Sequence, residues 1–277
     1  MKSPTKSDRR SADSEAPAAR QMRPLAELSP RDVCEISLLA TDVDGTLTRG
    51  GKLQPDVVDA IGKLHDHGIT LLPISGRPAG EVLGLCRYLP GVTRGVAENG
   101  LLEIVPDRAP RWLREPTNRA RLKEVGAQLN RDHAAKLQVT GDDFCRIGDV
   151  AYERDGRGEE ELLRLAGLVA GTGVHLVWSN VHIHLAEALP DKGAALFTLA
   201  SELEIAPTSI ATIGDSLNDT GLFRRADFGL TVGTADVARH ADLFARLPAR
   251  LTDRAEADGF LQLVSLLLAA RGTNTQA

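Results

Sequence analysis

The chain predicts an α/β fold: a Rossmann-like, doubly wound parallel sheet core with an inserted α+β cap domain. Three observations carry this. Short unbroken apolar runs at residues 36–40, 69–74 and 209–213 read as strands buried on both faces. Amphipathic helical segments follow the first two runs and precede the third, the rhythm of right-handed parallel crossovers. That rhythm breaks between about residues 107 and 187 and then resumes, as an insertion requires.

Residues 1–34 are rich in Ser, Ala, Pro, Arg and Lys and read as a flexible tail. A transit peptide is the alternative, opposed by Asp8, Asp13 and Glu15, since such peptides avoid acids; no apolar stretch follows to make a secretory signal. Residues 35–106 form the first part of the core. The strand at 36–40 runs into Thr41-Asp42-Val43-Asp44-Gly45-Thr46. A helix over 55–67 begins with Pro55 at its first position, buries Val57, Ile61 and Leu64, and closes at Gly68. The strand at 69–74 leads into Ser75-Gly76-Arg77 and a helix over 78–88. Glu98-Asn99-Gly100 lies between apolar runs, which predicts a hairpin turn.

Residues 107–187 form the cap, with helices over 117–133 and 159–169 and strands near 145–152, 174–178 and 181–185. Residues 188–273 complete the core: a helix over 191–203, a strand at 209–213 entering Gly214-Asp215-Ser216-Leu217-Asn218-Asp219, a strand at 228–232, and a helix over 259–271.

With 277 residues there is room for a core domain and one smaller domain. Aromatics are 4% of the chain, so the core is mostly aliphatic. The net charge of −5 supplies no basic field, which argues against a nucleic-acid partner. The longest apolar run, 260–270, is too short to cross a bilayer. Cys34, Cys86 and Cys145 are isolated, with no C-x-x-C spacing; this sparse set suits a reducing, cytoplasmic setting. A homo-oligomer is compatible with the chain, and nothing in the sequence specifies one.

The chemistry gathers at the predicted strand ends, the edge at which open α/β sheets bind ligands. Asp42 and Asp44 leave the first strand through a turn that Gly45 permits, giving a nucleophile and a proton-transfer partner. The competing reading is an ordinary polar strand end. Ser75 and Gly76 offer a hydroxyl and an unhindered N–H to phosphate, or else a plain helix cap. Lys192 sits in the first turn of a helix, against the dipole, as a counter-cation for carboxylates and phosphate or as an exposed lysine screened by salt. Asp215 and Asp219, four apart, would share a helical face and with Asp42 make an oxygen-rich shell suited to Mg2+. Alternatively Asp215 or Ser216 caps the helix and Asp219 favours its positive end. Each element has a bland explanation singly; their conjunction at separate strand ends is what points to phosphoryl chemistry. His182 and His184 share one strand face, and a packed or solvated face is the favoured reading over metal or substrate contact.

These motifs resemble the haloacid dehalogenase (HAD) superfamily of phosphohydrolases: Asp42 to Thr46, Ser75-Gly76-Arg77, Lys192, and Gly214 to Asp219. The resemblance covers about residues 36–270. The inserted cap is similar to that of archaeal-type phosphoglycolate phosphatases and of sucrose-phosphate and mannosyl-phosphoglycerate phosphatases. It implies a Mg2+-dependent phosphatase acting on a small phosphorylated metabolite through an aspartyl-phosphate on Asp42. It further implies Mg2+ held by Asp42, the backbone carbonyl of Asp44 and Asp215, with Asp219 close by, and Asp44 as acid and then base. Ser75, Gly76 and Lys192 would cradle phosphate. Thr46 joins the implied substrate contacts, with Arg77 and Asn218 as outer contacts and Glu98 and Asn99 facing substrate from the hairpin. Two alternatives stand beside this: a phosphomutase of the phosphomannomutase type, with cap arginines holding a second phosphate, and a non-catalytic phosphate-responsive binding protein.

Overall fold

A computed structural model describes residues 22–274 apart from Asn180, Pro190 and Arg225. Residues 1–21 of the expected tail therefore lie outside the described residues. In chain order the first elements are β1 (Arg23–Pro24), β2 (Leu38–Thr41), α1 (Pro55–Asp66), β3 (Thr70–Pro73), α2 (Ala79–Tyr88), β4 (Gly95–Ala97), β5 (Leu102–Ile104) and β6 (Arg111–Trp112). The middle of the chain contributes α3 (Arg119–His133), β7 (Val150–Glu153), α4 (Glu159–Val169), β8 (His175–Trp178) and β9 (His182–Ala186). The last elements are α5 (Lys192–Glu202), β10 (Ile210–Gly214), β11 (Leu230–Gly233), β12 (Arg250–Leu251) and α6 (Glu256–Asn274).

Six strands form one parallel sheet in the order β1-β12-β11-β10-β2-β3. Side chains alternate across it. Leu39, Leu71, Ala211 and Ile213 pack on the face covered by α1, α2 and α6; Leu38, Ala40, Leu72 and Ile210 pack on the face covered by α5. Both faces are thus buried, which is why the strands read as unbroken apolar runs rather than alternating ones. From β2 the chain crosses to β3 on one side, while β10 to β12 extend the sheet on the other. The carboxyl ends of β2 and β10 therefore flank the point where strand order reverses, where a crevice opens in such sheets.

Residues 22–34 correct the expected tail boundary. β1 pairs with β12, and 3-10 turns at Leu25–Glu27 and Pro30–Val33 bury Leu25 and Val33 in the core. Two apolar side chains scattered among polar ones leave the composition polar, yet burying each contributes roughly 1.5–3 kcal/mol.

β4, β5 and β6 make a second, antiparallel sheet, with Glu98–Gly100 as its tight turn. Because β6 pairs with β5, this small sheet reaches past residue 106, where the sequence reading starts the cap. The third sheet, β7-β9-β8, is antiparallel and carries its own hydrophobic cluster with α3 and α4. Val150, Tyr152, Ile183 and Leu185 face those helices. Strand alternation then turns His182 and His184 the opposite way.

Candidate active site

Asp42 follows directly on β2, its N–H bonded to Ile213 of β10 at 3.0 Å, so the nucleophile candidate stands at the reversal point. The turn beyond it depends on Gly45, whose φ is +81°. A Cβ there would lie 2.5 Å from Oδ2 of Asp215, so both backbone conformation and space call for glycine.

Lys192 opens α5 and is fully buried, which disposes of the exposed-lysine reading. Its Nζ donates to Oδ1 of Asp42 at 2.5 Å and to Oδ1 of Asp219 at 2.6 Å. The close approach of α5 to the Leu217–Phe223 turn makes this reach possible: a Cβ on Gly193 would meet the Gly221 carbonyl at 1.9 Å.

Asp215 and Asp219 do not share a helical face as expected, because the segment is a 3-10 turn (Leu217–Phe223) and Asp215 precedes it. Ser216 and Asp219 form its capping box. Oδ2 of Asp219 accepts the N–H groups of Asp215 (2.9 Å) and Ser216 (3.0 Å), leaving Oδ1 to Lys192. Asp219 is therefore a turn-capping residue and a member of the acidic cluster at once. Even so, Asp42, Asp215 and Asp219 each bring a carboxylate oxygen within 4.8 Å of the others, all buried.

Three carboxyl groups crowd around the Lys192 ammonium. Burial pushes the Asp42 carboxyl up to about 7, the pull of Lys192 opposing and the charges of Asp219 and Asp44 reinforcing the rise. Asp215 is also raised, by burial first and then by Asp42 and Asp219. Burial works to lower Lys192, but Asp219 and Asp42 hold it above the usual lysine range. A buried, oxygen-only donor set of this kind fits a hard divalent cation.

Asp44 stands apart from that cluster. Both its oxygens are held by Arg77, Nε to Oδ2 and Nη2 to Oδ1, each at 2.6 Å. Of the roles expected for Asp44 at a metal, that of its backbone carbonyl is the one compatible with this pairing. Arg77 also pairs with Glu81 at 2.9 Å, so its guanidinium is committed to carboxylates rather than presented to phosphate. Ser75 is not the cap of α2, which starts at Ala79. Its hydroxyl oxygen accepts the Arg77 N–H at 3.1 Å.

Thr46 is wholly buried and donates to Oδ1 of Asp215 at 3.0 Å; it positions a carboxylate instead of touching substrate. Asn218 donates to Oδ1 of Asn99 at 3.0 Å, joining the hairpin to the Asp215 turn. Glu98 departs furthest from expectation. Its carboxylate accepts the N–H groups of Ile147 (2.8 Å), Gly148 (2.6 Å) and Asp149 (2.8 Å), so it fastens a loop of the inserted segment rather than facing substrate.

A cavity of about 20 Å³ lies over the catalytic candidates, walled by Asp42, Asp44, Ser75, Gly76, Arg77 and Asn218 from below and by Ser179, Val181, His182 and His184 from above. The histidine strand face is therefore a wall of the site, contrary to the favoured sequence reading. The signal was present in the alternation of His182, Ile183, His184 and Leu185, but nothing local says which way the polar face points. An adjoining cavity of about 320 Å³ shares Ser179 and Ser216 and is lined further by Arg154, Trp178, Arg239 and His240.

Residues 168–246 match a model of the haloacid dehalogenase-like hydrolases. A phosphoglycolate phosphatase of Natronomonas pharaonis is 31% identical over 231 residues, 82% of this chain and 96% of that relative. One from Methanospirillum hungatei is 28% identical, spanning 75% of this chain and 89% of its own length. Among solved structures, a Thermoplasma acidophilum protein aligns over 84% of this chain and 99% of its own with a TM-score of 0.71 at 19% identity. The Synechocystis sucrose-phosphatase, solved with sucrose and phosphate, covers 83% of this chain and 97% of its own with a TM-score of 0.65 at 18% identity. At that identity the structural likeness speaks to fold alone, whereas the long sequence match carries the family. The chain belongs to the haloacid dehalogenase-like hydrolase family and is one of its phosphatases.

Proposed function

We propose that this phosphatase hydrolyses a short phosphorylated metabolite of the phosphoglycolate type, in a Mg2+-dependent reaction with Asp42 as nucleophile. The observation that carries this is the convergence of Asp42, Lys192, Asp215 and Asp219 beneath a cavity that also includes Asp44, Ser75 and Gly76. Asp42, Asp215 and the Asp44 carbonyl would hold the cation, with Asp219 beside them. When bound, it supplies positive charge that offsets repulsion between Asp42 and the phosphate.

The chain's own groups account for the rest. An Asp42 oxygen attacks phosphorus and the ester P–O bond breaks, the departing alkoxide taking a proton from Asp44. Water then attacks phosphorus of the acyl phosphate and gives a proton back to Asp44. Inorganic phosphate leaves and the Asp42 carboxylate is restored. Arg77 binds both Asp44 oxygens in this arrangement, so Asp44 carries the transferable proton only once one oxygen swings free of Arg77; Lys192, Ser75 and the Gly76 N–H steady the phosphate oxygens.

Cavity size favours a short substrate. At about 20 Å³ the space over Asp42 is small, which suits a short leaving group. A sugar would extend into the adjoining 320 Å³ cavity. The mutase alternative needs cationic side chains for a second phosphate. Among the described arginines of the inserted segment, Arg154 is the one lining the cavities over the site, and it is paired with Glu159, which argues against it.

The test is phosphate release from 2-phosphoglycolate by purified protein with Mg2+ and with EDTA. Release that needs the metal and vanishes in Asp42→Asn supports the reading. Conversion without net release, dependent on a bisphosphate activator, would favour a mutase. Full cellular function in Asp42→Asn would favour the binding protein.

A further inference from the structure

His184 is a wall of the cavity that the reaction above leaves unused. It is 2% exposed, yet it lines the same cavity as Asp42, Ser75 and Gly76. Its Nδ1 lies 2.6 Å from Oδ2 of Asp149, itself buried. That bond orients the ring and commits Nδ1, which leaves Nε2 as the nitrogen available to the cavity.

The surroundings decide what Nε2 can offer. Arg146, buried, pairs with Asp149 at 3.1 Å and with Asp142 at 2.8 Å, and donates to the Gly76 carbonyl at 3.0 Å. Burial works to raise the Asp149 carboxyl, but the bond to His184 and the charge of Arg146 hold it down at about 2. Asp142 and Asp149 thus carry two negative charges against the single charge of Arg146. The ring is thus fixed by a carboxylate that is itself anchored by Arg146, and Nε2 is the ring nitrogen that this network leaves unused. His182, whose ring centre is 6.1 Å away, is depressed to about 4 by burial and by His184, so it stays neutral. Across the cavity Arg77 is committed to Asp44 and Glu81, and Lys192, already bonded to Asp42 and Asp219, is assigned to the phosphate.

We propose that His184, oriented by Asp149, is a specificity-determining residue that receives a carboxylate on the leaving group, making the enzyme selective for phosphorylated hydroxyacids over neutral phosphoesters. This rests on the reading of the site as a hydrolase of short phosphoesters and names the part of the substrate that the cap reads. The phosphate is held from the core side, by Ser75, Gly76 and Lys192; the carboxylate is held from the cap side. A substrate with both charges ties the two halves together, whereas a neutral ester engages one.

The experiment compares 2-phosphoglycolate with 2-hydroxyethyl phosphate, which replaces the carboxylate with CH2OH at the same chain length. In His184→Asn the amide nitrogen takes the place of Nδ1, so the bond to Asp149 is kept while the cavity-facing nitrogen is removed. The ratio of kcat/KM for the two substrates should fall by about 10- to 100-fold, the range for a hydrogen bond to a charged group, mainly through KM for phosphoglycolate. His184→Gln, whose amide nitrogen reaches the place of Nε2, should show a smaller fall. A purely structural histidine predicts the reverse order, because Asn preserves the Asp149 bond and Gln does not. A wild-type ratio near one, or a ratio unchanged in either folded variant, overturns the role of His184 while leaving the hydrolase reading intact. No turnover of phosphoglycolate by the wild-type enzyme overturns the substrate reading and the role of His184 with it.

Discussion

The Lys192 ammonium stands 2.5 Å from Oδ1 of Asp42, although 150 residues separate them in the chain. Neither side chain has appreciable access to water, so neither charge can be satisfied elsewhere. Removing one partner of such a pair strands the other. Lys192→Met should destabilise the metal-free protein by about 3–5 kcal/mol, the usual penalty for breaking a buried pair from one side. Added Mg2+ should recover part of that loss by supplying charge to the same carboxylates. Denaturant unfolding with EDTA and with Mg2+ checks this; equal midpoints for variant and wild type would show that Lys192 is not the charge that holds the cluster together.

Asp42→Asn should separate function from stability. Turnover should drop by roughly a thousand-fold or more, since an amide cannot form the acyl phosphate. Stability should change less than in Lys192→Met, because burial, Asp219 and Asp44 oppose the ionised form of Asp42 against the pull of Lys192, and Lys192 keeps Asp219 as its partner in the variant. The difference from wild type has a predictable pH dependence. With its carboxyl raised to about 7, native Asp42 keeps a proton that the unfolded chain gives up near pH 4. Wild-type metal-free protein therefore loses stability relative to Asp42→Asn as pH rises from about 4 to 7. Urea midpoints of the two proteins across that range, in EDTA, measure the difference directly, and parallel curves would contradict the assignment.

The same raised carboxyls bear on metal binding. A cation that binds carboxylates must displace the protons that Asp42 and Asp215 retain. At pH 6 Mg2+ binding should release protons, so its heat should depend on the ionisation enthalpy of the buffer. At pH 8.5 the release attributable to Asp42 should be largely gone. Apparent affinity should rise with pH through about 7. Calorimetry in two buffers at each pH decides; buffer-independent heats at pH 6 would mean the metal meets carboxylates already ionised.

What could be read from the sequence followed from how local each signal was. α4 was legible to the residue, at Glu159–Val169, because its acidic first turn and its apolar stripe of Leu162, Leu165 and Val169 both lie within the segment. Asp42 and Lys192 could be nominated because a strand end and a helix start are local features, and the fold brings the two together as a buried pair. The partners of Thr46, Arg77 and Glu98 were not legible. Each is set by a contact across the fold: Thr46 to Asp215, Arg77 to Asp44, Glu98 to the backbone of residues 147–149. A polar side chain near a motif looks the same whether it meets substrate or holds a neighbour. The shared helical face expected for Asp215 and Asp219 failed because a capping box at Ser216 set a tighter 3-10 turn.

Glu98 carries the last prediction. Its backbone is left-handed, at φ 52°, and this turns its carboxylate under the loop that carries Arg146 and Asp149. Burial pushes the carboxyl up to about 7, with the Asp149 charge adding to the rise and three backbone N–H donors opposing it. In Glu98→Gln one acceptor oxygen becomes a donor facing N–H groups that donate already. At least one of the three bonds is lost and a buried N–H is stranded, a loss of about 1–3 kcal/mol. Asp149 should then orient His184 less firmly, and Arg146 should bond the Gly76 carbonyl less often. Hydrogen exchange should quicken at residues 147–149, and the unfolding midpoint should fall. If Glu98→Gln matches the wild type in both, the carboxylate is a bystander to the joint between core and cap.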